Sequence, residues 1–227
     1  MILAVTGLQR EQRLLAGPGV EVVAGGGDQA RLEAVLERLV PGMRGVISIG
    51  IAGALAPGLR PGRWVVATSV RDDGTELPTD PDWTERLASC LPGAERGVLL
   101  GVGTVAATAA QKAELRRTSN AIALDMESHV AARVARHHRL PFVAARVISD
   151  AAHRTLPPAA RVGMRGDGGV DLPAVLRSLL VAPWQLPALI RTGLEAETAF
   201  RALLRGHRLL GPGLGGPDVG KLSPDMV

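Results

Sequence analysis

Short apolar runs alternate along most of the chain with stretches in which apolar residues recur every three or four positions. That is the pattern of strand-helix-strand units around a central sheet. The runs Ile2 to Thr6, Val20 to Val23, Gly45 to Ile49, Trp64 to Ser69, Val98 to Val102, Ala121 to Leu124 and Phe142 to Ser149 predict strands. Helical periodicity covers Gln29 to Leu39, where Leu32, Val35, Leu36 and Leu39 share one face behind a capping Asp28. It returns at Pro81 to Leu91, Ala109 to Arg117, Ser128 to His138 and Leu172 to Leu180, and in a long last helix from Leu186 to Leu210. From Gly211 the sequence GPGLGGPDVGKLSPDMV has too few apolar residues to pack, which predicts a flexible tail over 211–227. The expected architecture is one α/β domain over 1–210, with 179–210 as an apolar C-terminal helical segment.

Composition narrows the function. Hydrophobic residues make up 46% of the 227 and charged residues 21%, enough for a sizeable core, so disorder is excluded for most of the chain. Aromatic residues are only 2%, which argues against the stacking platforms of single-stranded nucleic-acid surfaces. The pI of about 10.4 reflects arginine rather than a large charge, since the formal net charge is +4. The basic residues are dispersed among acids, so no nucleic-acid stripe emerges. The single Cys90 cannot form an internal disulfide, and no CxxC or HExxH is present, so the reading assigns no metal and a reducing, cytoplasmic setting. Met1 to Leu8 lacks a basic flank and reads as a buried strand rather than a signal peptide. Ser178 to Ile190 is uncharged, but at thirteen residues with Pro183 and Pro187 it is too short to span a bilayer.

In open α/β folds ligands bind beyond the carboxyl ends of strands. Four such exits carry polar residues or glycines: Thr6-Gly7 leading to Glu11, the stretch Ser48 to Ala54, the Asp125-Met126-Glu127-Ser128 segment, and Ser149-Asp150. Each has an ordinary explanation. Glu11 and Glu127 suit the first turn of a helix, and Asp150 suits an N-cap or loop. The glycines of GIAGAL are turn residues, or they let backbone approach a ligand. Gly101 and Gly103 lack the third glycine of a dinucleotide site, and the five histidines show no metal-ligand spacing.

The order of the pieces TGLQREQRLL, VISIGIAGALAPGLRPGRWVV and AIALDMESHVAARVARHHRLPFVAARVISDAA resembles the nucleoside phosphorylase and nucleosidase family over roughly residues 1–180. DMES and RVISDAA are its most specific elements. Within the family the chain is most similar to methylthioadenosine/S-adenosylhomocysteine nucleosidases. Its shortness, the stretch GDGGVDLPAVLRSLL and the apolar C-terminal segment resemble the hopanoid-associated phosphorylase branch, whose implied substrate is adenosylhopane.

The resemblance implies a central mixed sheet flanked by helices, no cofactor, and a homo-oligomer acting on a small nucleoside, here one carried on a lipid. It gives Asp150 the protonation of adenine N7, Glu127 the ribose hydroxyls, Met126 the sugar face and Glu11 the activation of water. Gly7, Gly50, Ile51, Ala52, Gly53, Thr104, Val105 and Ser149 become pocket backbone or wall. Ser48 and Ile51 stand where phosphorylases carry arginine and serine, and Glu11 where they carry a phosphate-binding arginine. Electrostatics therefore favour hydrolysis, with phosphate as co-substrate only in the alternative, phosphorolytic reading. No aromatic residue stands near Thr104 or Val105 to stack on the base, which leaves that task to another segment or a partner subunit. A non-catalytic nucleoside-binding module is the remaining alternative. The segment 179–210 is expected either to touch a membrane surface through Trp184 and the arginines beyond it, or to pack as a kinked terminal helix.

Overall fold

The computed structural model describes residues 1–162, 168–169 and 171–217. Its strands are β1 (Ile2–Thr6), β2 (Val20–Ala24), β3 (Gly45–Ala54), β4 (Trp64–Asp72), β5 (Thr75–Pro78), β6 (Glu95–Gly101), β7 (Ala123–Asp125) and β8 (Phe142–Asp150). The helices are α1 (Gln9–Leu15), α2 (Gln29–Leu39), α3 (Pro81–Cys90), α4 (Ala109–Ser119), α5 (Ser128–His137), α6 (Pro158–Val162), α7 (Leu172–Val181) and α8 (Leu186–Leu210).

The described strands form one mixed sheet. β1 lies parallel between β2 and β3. Beyond it β3 pairs with β8, β8 with β4, β4 with β6, β6 with β7, and β7 returns to the end of β3. Those pairings close a ring that brings the carboxyl ends of β3, β7 and β8 to a common rim. The first strand shows why its sequence is uniformly apolar: Leu3 and Val5 pack with α2 and α5, whereas Ile2 and Ala4 pack with α3 and α8. Burial on both faces removes the polar alternation of a half-exposed strand.

Several boundaries differ from the sequence pattern. β3 continues through Gly50, Ile51 and Gly53 to Ala54, so the GIAGA glycines are strand residues rather than a turn. At Gly50 close approach is what requires glycine: a Cβ there would lie 2.5 Å from Glu11 Oε1 and 2.8 Å from an Arg146 guanidinium nitrogen. The pattern misses β5, an edge strand with one buried residue, Leu77, although the turn before it is written as Asp73-Gly74, both with positive φ. It also misses the five-residue α6.

The C-terminal segment divides in two. α7 has no buried side chain, and a turn over Pro183–Gln185 bends the path by 115° into α8. The second half of α8 then buries Ala199, Phe200, Leu203 and Leu210 in the core. Among the described residues no single helix is long and apolar enough to cross a membrane, although the bent α7–α8 pair meets that test jointly. The predicted tail is packed at its start. Leu214 is fully buried, Trp83 Nε1 donates to its carbonyl at 3.1 Å, and Arg86 Nε donates to the Gly215 carbonyl at 3.2 Å. One leucine inserted between glycine turns is enough to anchor a segment that composition alone reads as unpacked. The rest of the predicted tail, 218–227, lies outside the described residues, as does part of the GDGG stretch.

Candidate active site

The strand ends frame a cavity of about 280 Å³. Its inner wall is built from the ends of four strands and the residues just beyond them: Gly7, Leu8 and Glu11 after β1, Ile51 to Gly53 in β3, Asp125 to Glu127 at and after the end of β7, and Ser149 and Asp150 closing β8. Val105 also lines it. Two residues expected on the wall do not. Gly50 sits behind it, where its missing Cβ leaves room for Glu11 and Arg146, and Thr104 is exposed on a loop.

Glu11 is fully buried in the first turn of α1. Its Oε2 accepts from the Gly7 and Leu8 amides at 2.8 and 2.7 Å, and its Oε1 from the Ile51 amide at 2.6 Å. The capping role is thus real, yet the same carboxyl group faces the cavity. Burial raises its pKa, and the Arg146 charge and these amides only partly oppose the rise.

Glu127 does not cap its helix. That task falls to Asp125, whose Oδ1 accepts from the Glu127 and Ser128 amides at 2.9 and 2.7 Å. Glu127 is left to face the cavity beside Met126, whose terminal methyl packs against Gly27. Burial, with Asp125 and Glu11 nearby, pushes Glu127 up to about 8 against the lowering effect of Arg146.

Arg146 organises this floor from the middle of β8. Fully buried, it pairs through Nε with Asp125 Oδ2 at 3.1 Å and stands 3.7 Å from Glu127 Oε2. Its Nη2 donates to Ser48 Oγ at 2.5 Å, and Ser48 lies 2.9 Å from Ser128 Oγ. Ser48 therefore serves as a ligand of an arginine from another strand. One guanidinium is shared among three carboxyl groups, an arrangement that leaves protons on the less well paired of them.

Asp150 is the last residue of β8 rather than an N-cap. Ser149 Oγ lies 2.7 Å from its Oδ1, and Lys112 Nζ pairs with its Oδ2. Lys112 escapes the sequence reading because it lies on a helix with little apolar periodicity. Its signal was rarity, since only Lys112 and Lys221 among the 26 basic residues are lysine. Arg146 also had a signal, a charge inside an apolar strand. Phe200 of α8 is the one aromatic on the cavity wall among the described residues, with Arg10 stacked 4.0 Å from its ring centre. The aromatic surface that the sequence lacks near Val105 comes to the cavity wall from a residue almost a hundred positions away.

Glu37, His137 and His138 come within reach of a common metal ion, an arrangement the sequence hides because Glu37 arrives from α2. The two histidines hydrogen-bond the carboxylate and hold its pKa below the usual range. None of the three lines the cavity.

The family profile described as the phosphorylase superfamily matches residues 7–167. No curated protein sequence is significantly similar to the chain. Among solved structures, a 5'-methylthioadenosine/S-adenosylhomocysteine nucleosidase of Helicobacter pylori, complexed with a substituted pyrrolidin-3-ol, superposes with a TM-score of 0.63 at 14% identity. The match covers 92% of this chain and 95% of that one. The corresponding nucleosidase of S. pneumoniae, bound to a transition-state inhibitor, gives 0.61 at 15% identity over 92% and 99%. A futalosine hydrolase mutant of Helicobacter pylori gives 0.55 at 15% identity over 65% and 89%. At such identities the likeness is one of fold.

Proposed function

The chain belongs to the phosphorylase superfamily, and from that membership and the three carboxyl groups on one cavity wall we propose that it hydrolyses the N-glycosidic bond of an adenosine-type nucleoside, releasing adenine. The observation that carries the reading is the convergence of Glu11, Glu127 and Asp150, each nine-tenths or more buried, from three separate strand ends. As the bond from C1' to N9 lengthens, the sugar gains oxocarbenium character and the purine gains electron density. Asp150 delivers a proton to N7 of the departing base. Glu127 binds the ribose hydroxyls, and Met126 rests against the sugar. Glu11, once ionised, takes a proton from the water that attacks C1'.

Hydrolysis is favoured over phosphorolysis by the charges on the wall. Among the described residues Lys112 is the only cationic side chain lining the cavity, and it is committed to Asp150. A phosphate dianion beside Glu11 would meet a carboxyl group and no free cation.

For the 5'-substituent the reading is a lipid, adenosylhopane, approached from the cytoplasmic face of a membrane. Thr192, Ala196 and Phe200 place one face of α8 on the cavity, and the first half of the same helix exposes Leu186, Ile190 and Leu194. α7 exposes Leu172, Leu176 and Leu180, and Trp184 stands 75% exposed at the bend. No acidic residue occurs from 172 to 194, whereas Arg177 and Arg191 do. An apolar, weakly basic lip continuous with the cavity suits an anionic lipid surface.

The test is incubation of the purified enzyme with an adenosine-type compound in phosphate-free buffer and with added phosphate, with mass spectrometry of the sugar. Adenine and an unphosphorylated sugar under both conditions are expected. A sugar 1-phosphate formed only with phosphate would mean phosphorolysis, and tight binding without adenine release would mean a non-catalytic module.

A further inference from the structure

Lys112 has no place in the hydrolysis proposed for Glu11, Glu127 and Asp150, and local helix energetics do not account for it. It lies in the first turn of α4, where the helix dipole disfavours a cation. The side chain is nevertheless 1% exposed, with Nζ on Asp150 Oδ2 and 3.2 Å from the Ala151 carbonyl. The helix start that carries it is fastened to the chain just beyond β8. The Ala109 amide donates to Thr155 Oγ1 at 3.2 Å, and the Leu156 amide to the Ala107 carbonyl at 2.8 Å. Thr108 and Gln111 complete a reciprocal cap on the same turn. Lys112 is therefore held against Asp150 by both ends of the contact.

Residue choice adds a second observation. This chain meets almost every need for positive charge with arginine, and Lys112 is one of its two lysines. A guanidinium pairs with carboxylates at least as well as an ammonium and with better geometry. What it cannot do is give up a proton, whereas an ammonium can. In a buried site the charged pair and the neutral amine-acid pair are brought closer in free energy, because desolvation penalises the former.

Building on the hydrolytic reading, we propose that Lys112 is the proton source behind Asp150, a positioning residue that acts on the leaving purine only through that carboxyl group. As the bond from C1' to N9 breaks and its electron pair passes to the purine, the N–H bond of Lys112 breaks, its proton passes to the Asp150 carboxyl group, and that group hands a proton on to N7. The amine left at Nζ regains a proton from solvent as adenine departs. That proton balances the one the attacking water surrenders to Glu11. Asp150 is thus held in place by Lys112 and Ser149 and receives the proton it delivers only in the step that needs one.

The experiment compares Lys112→Arg and Lys112→Met with the wild type on two substrates. One is adenosine, whose base must be protonated to leave, and the other is 4-nitrophenyl riboside, whose phenolate leaves without help. Both variants are expected to lose adenine release by about 10²-fold, the scale of a positioned acid, while nitrophenol release changes by less than about threefold. Equal losses on both substrates, or full adenine release by Lys112→Arg, would overturn the proposal in favour of packing or charge alone. If neither variant folds, Lys112→Ala is supplied with methylammonium or tetramethylammonium. Rescue of adenine release by the first alone is expected, since only it carries a proton to give, and rescue by both or by neither overturns the proposal. A wild type that releases no adenine would instead sink the hydrolytic reading.

Discussion

The floor and the rim of the cavity are held by different physics. On the floor most charged side chains are fixed by named partners: Glu11 by three amides, Asp125 by two amides and Arg146, Asp150 by Ser149 and Lys112. On the rim α7 buries nothing, and the first turns of α8 hold apolar side chains in the open. Geometry is overdetermined where bonds are to be broken and loose where a substituent is to be accommodated. Such a division is what the proposed reaction needs, in which catalysis tolerates little displacement and the proposed 5'-substituent is large and apolar.

The sharpest way to break the floor is to remove its shared cation. Arg146→Met takes the shared cation from the buried Asp125, Glu127 and Glu11, and a loss of about 3–5 kcal/mol of folding stability is expected from urea unfolding near neutral pH. Retention of wild-type stability would mean that the carboxyl groups simply take up protons and the arginine is dispensable. Asp150→Asn comes next. It keeps the hydrogen-bonding shape but has no acidic proton, and adenine release should fall by about 10²-fold or more with the fold intact. Glu11→Gln should cost a similar factor in hydrolysis without creating any dependence on phosphate. Undiminished turnover of either variant would remove that residue from the chemistry.

A smaller effect is expected at Glu127. Above about pH 8, where Glu127 is a carboxylate, substitution by Gln should preserve adenine binding and lower turnover of the ribosyl compound by about tenfold, since amides bind hydroxyls less strongly than carboxylates do. The same residue makes stability depend on pH. Unfolded, Glu127 titrates near its ordinary 4.5, and in the folded protein near 8, so between these values the folded state holds the extra proton. The stability this confers is full below the lower value and is lost as pH rises through the upper one. Urea midpoints measured from about pH 5 to 9 should therefore decline, and Glu127→Gln should flatten the decline. The rim gives the smallest effect on chemistry. Trp184→Ala combined with Leu186→Ser should leave turnover of a short soluble adenosine analogue unchanged within about twofold, because exposed positions rarely couple to a distant site. It should abolish co-sedimentation with anionic liposomes. Failure of the wild type itself to sediment, together with a dimer that dissociates in this variant, would mean that a second copy of the chain covers the rim.

How legible each feature was depends on how local its signal is. Apart from β5 and α6, strand and helix positions were readable because periodicity and caps are written within a few residues, as in Asp28 with its α2 helix. The carboxyl groups of Glu11, Glu127 and Asp150 were visible as polar residues at strand exits. Their partners were not. Lys112 stands 38 positions from Asp150, and Ser48 stands 98 from Arg146, so no spacing rule connects them. Phe200 reaches the cavity only because α8 crosses back over β8 and β3.

By itself, then, the sequence determined which strands would be buried, which class of fold they could build, and which acids stood where a ligand could meet them, since these depend on hydrophobic pattern and chain order. Only the tertiary structure decided that three carboxyl groups share one guanidinium while the fourth has a lysine to itself. Proton affinities and positions in a buried site are set by charges converging through space from different strands, and chain order carries no record of those distances.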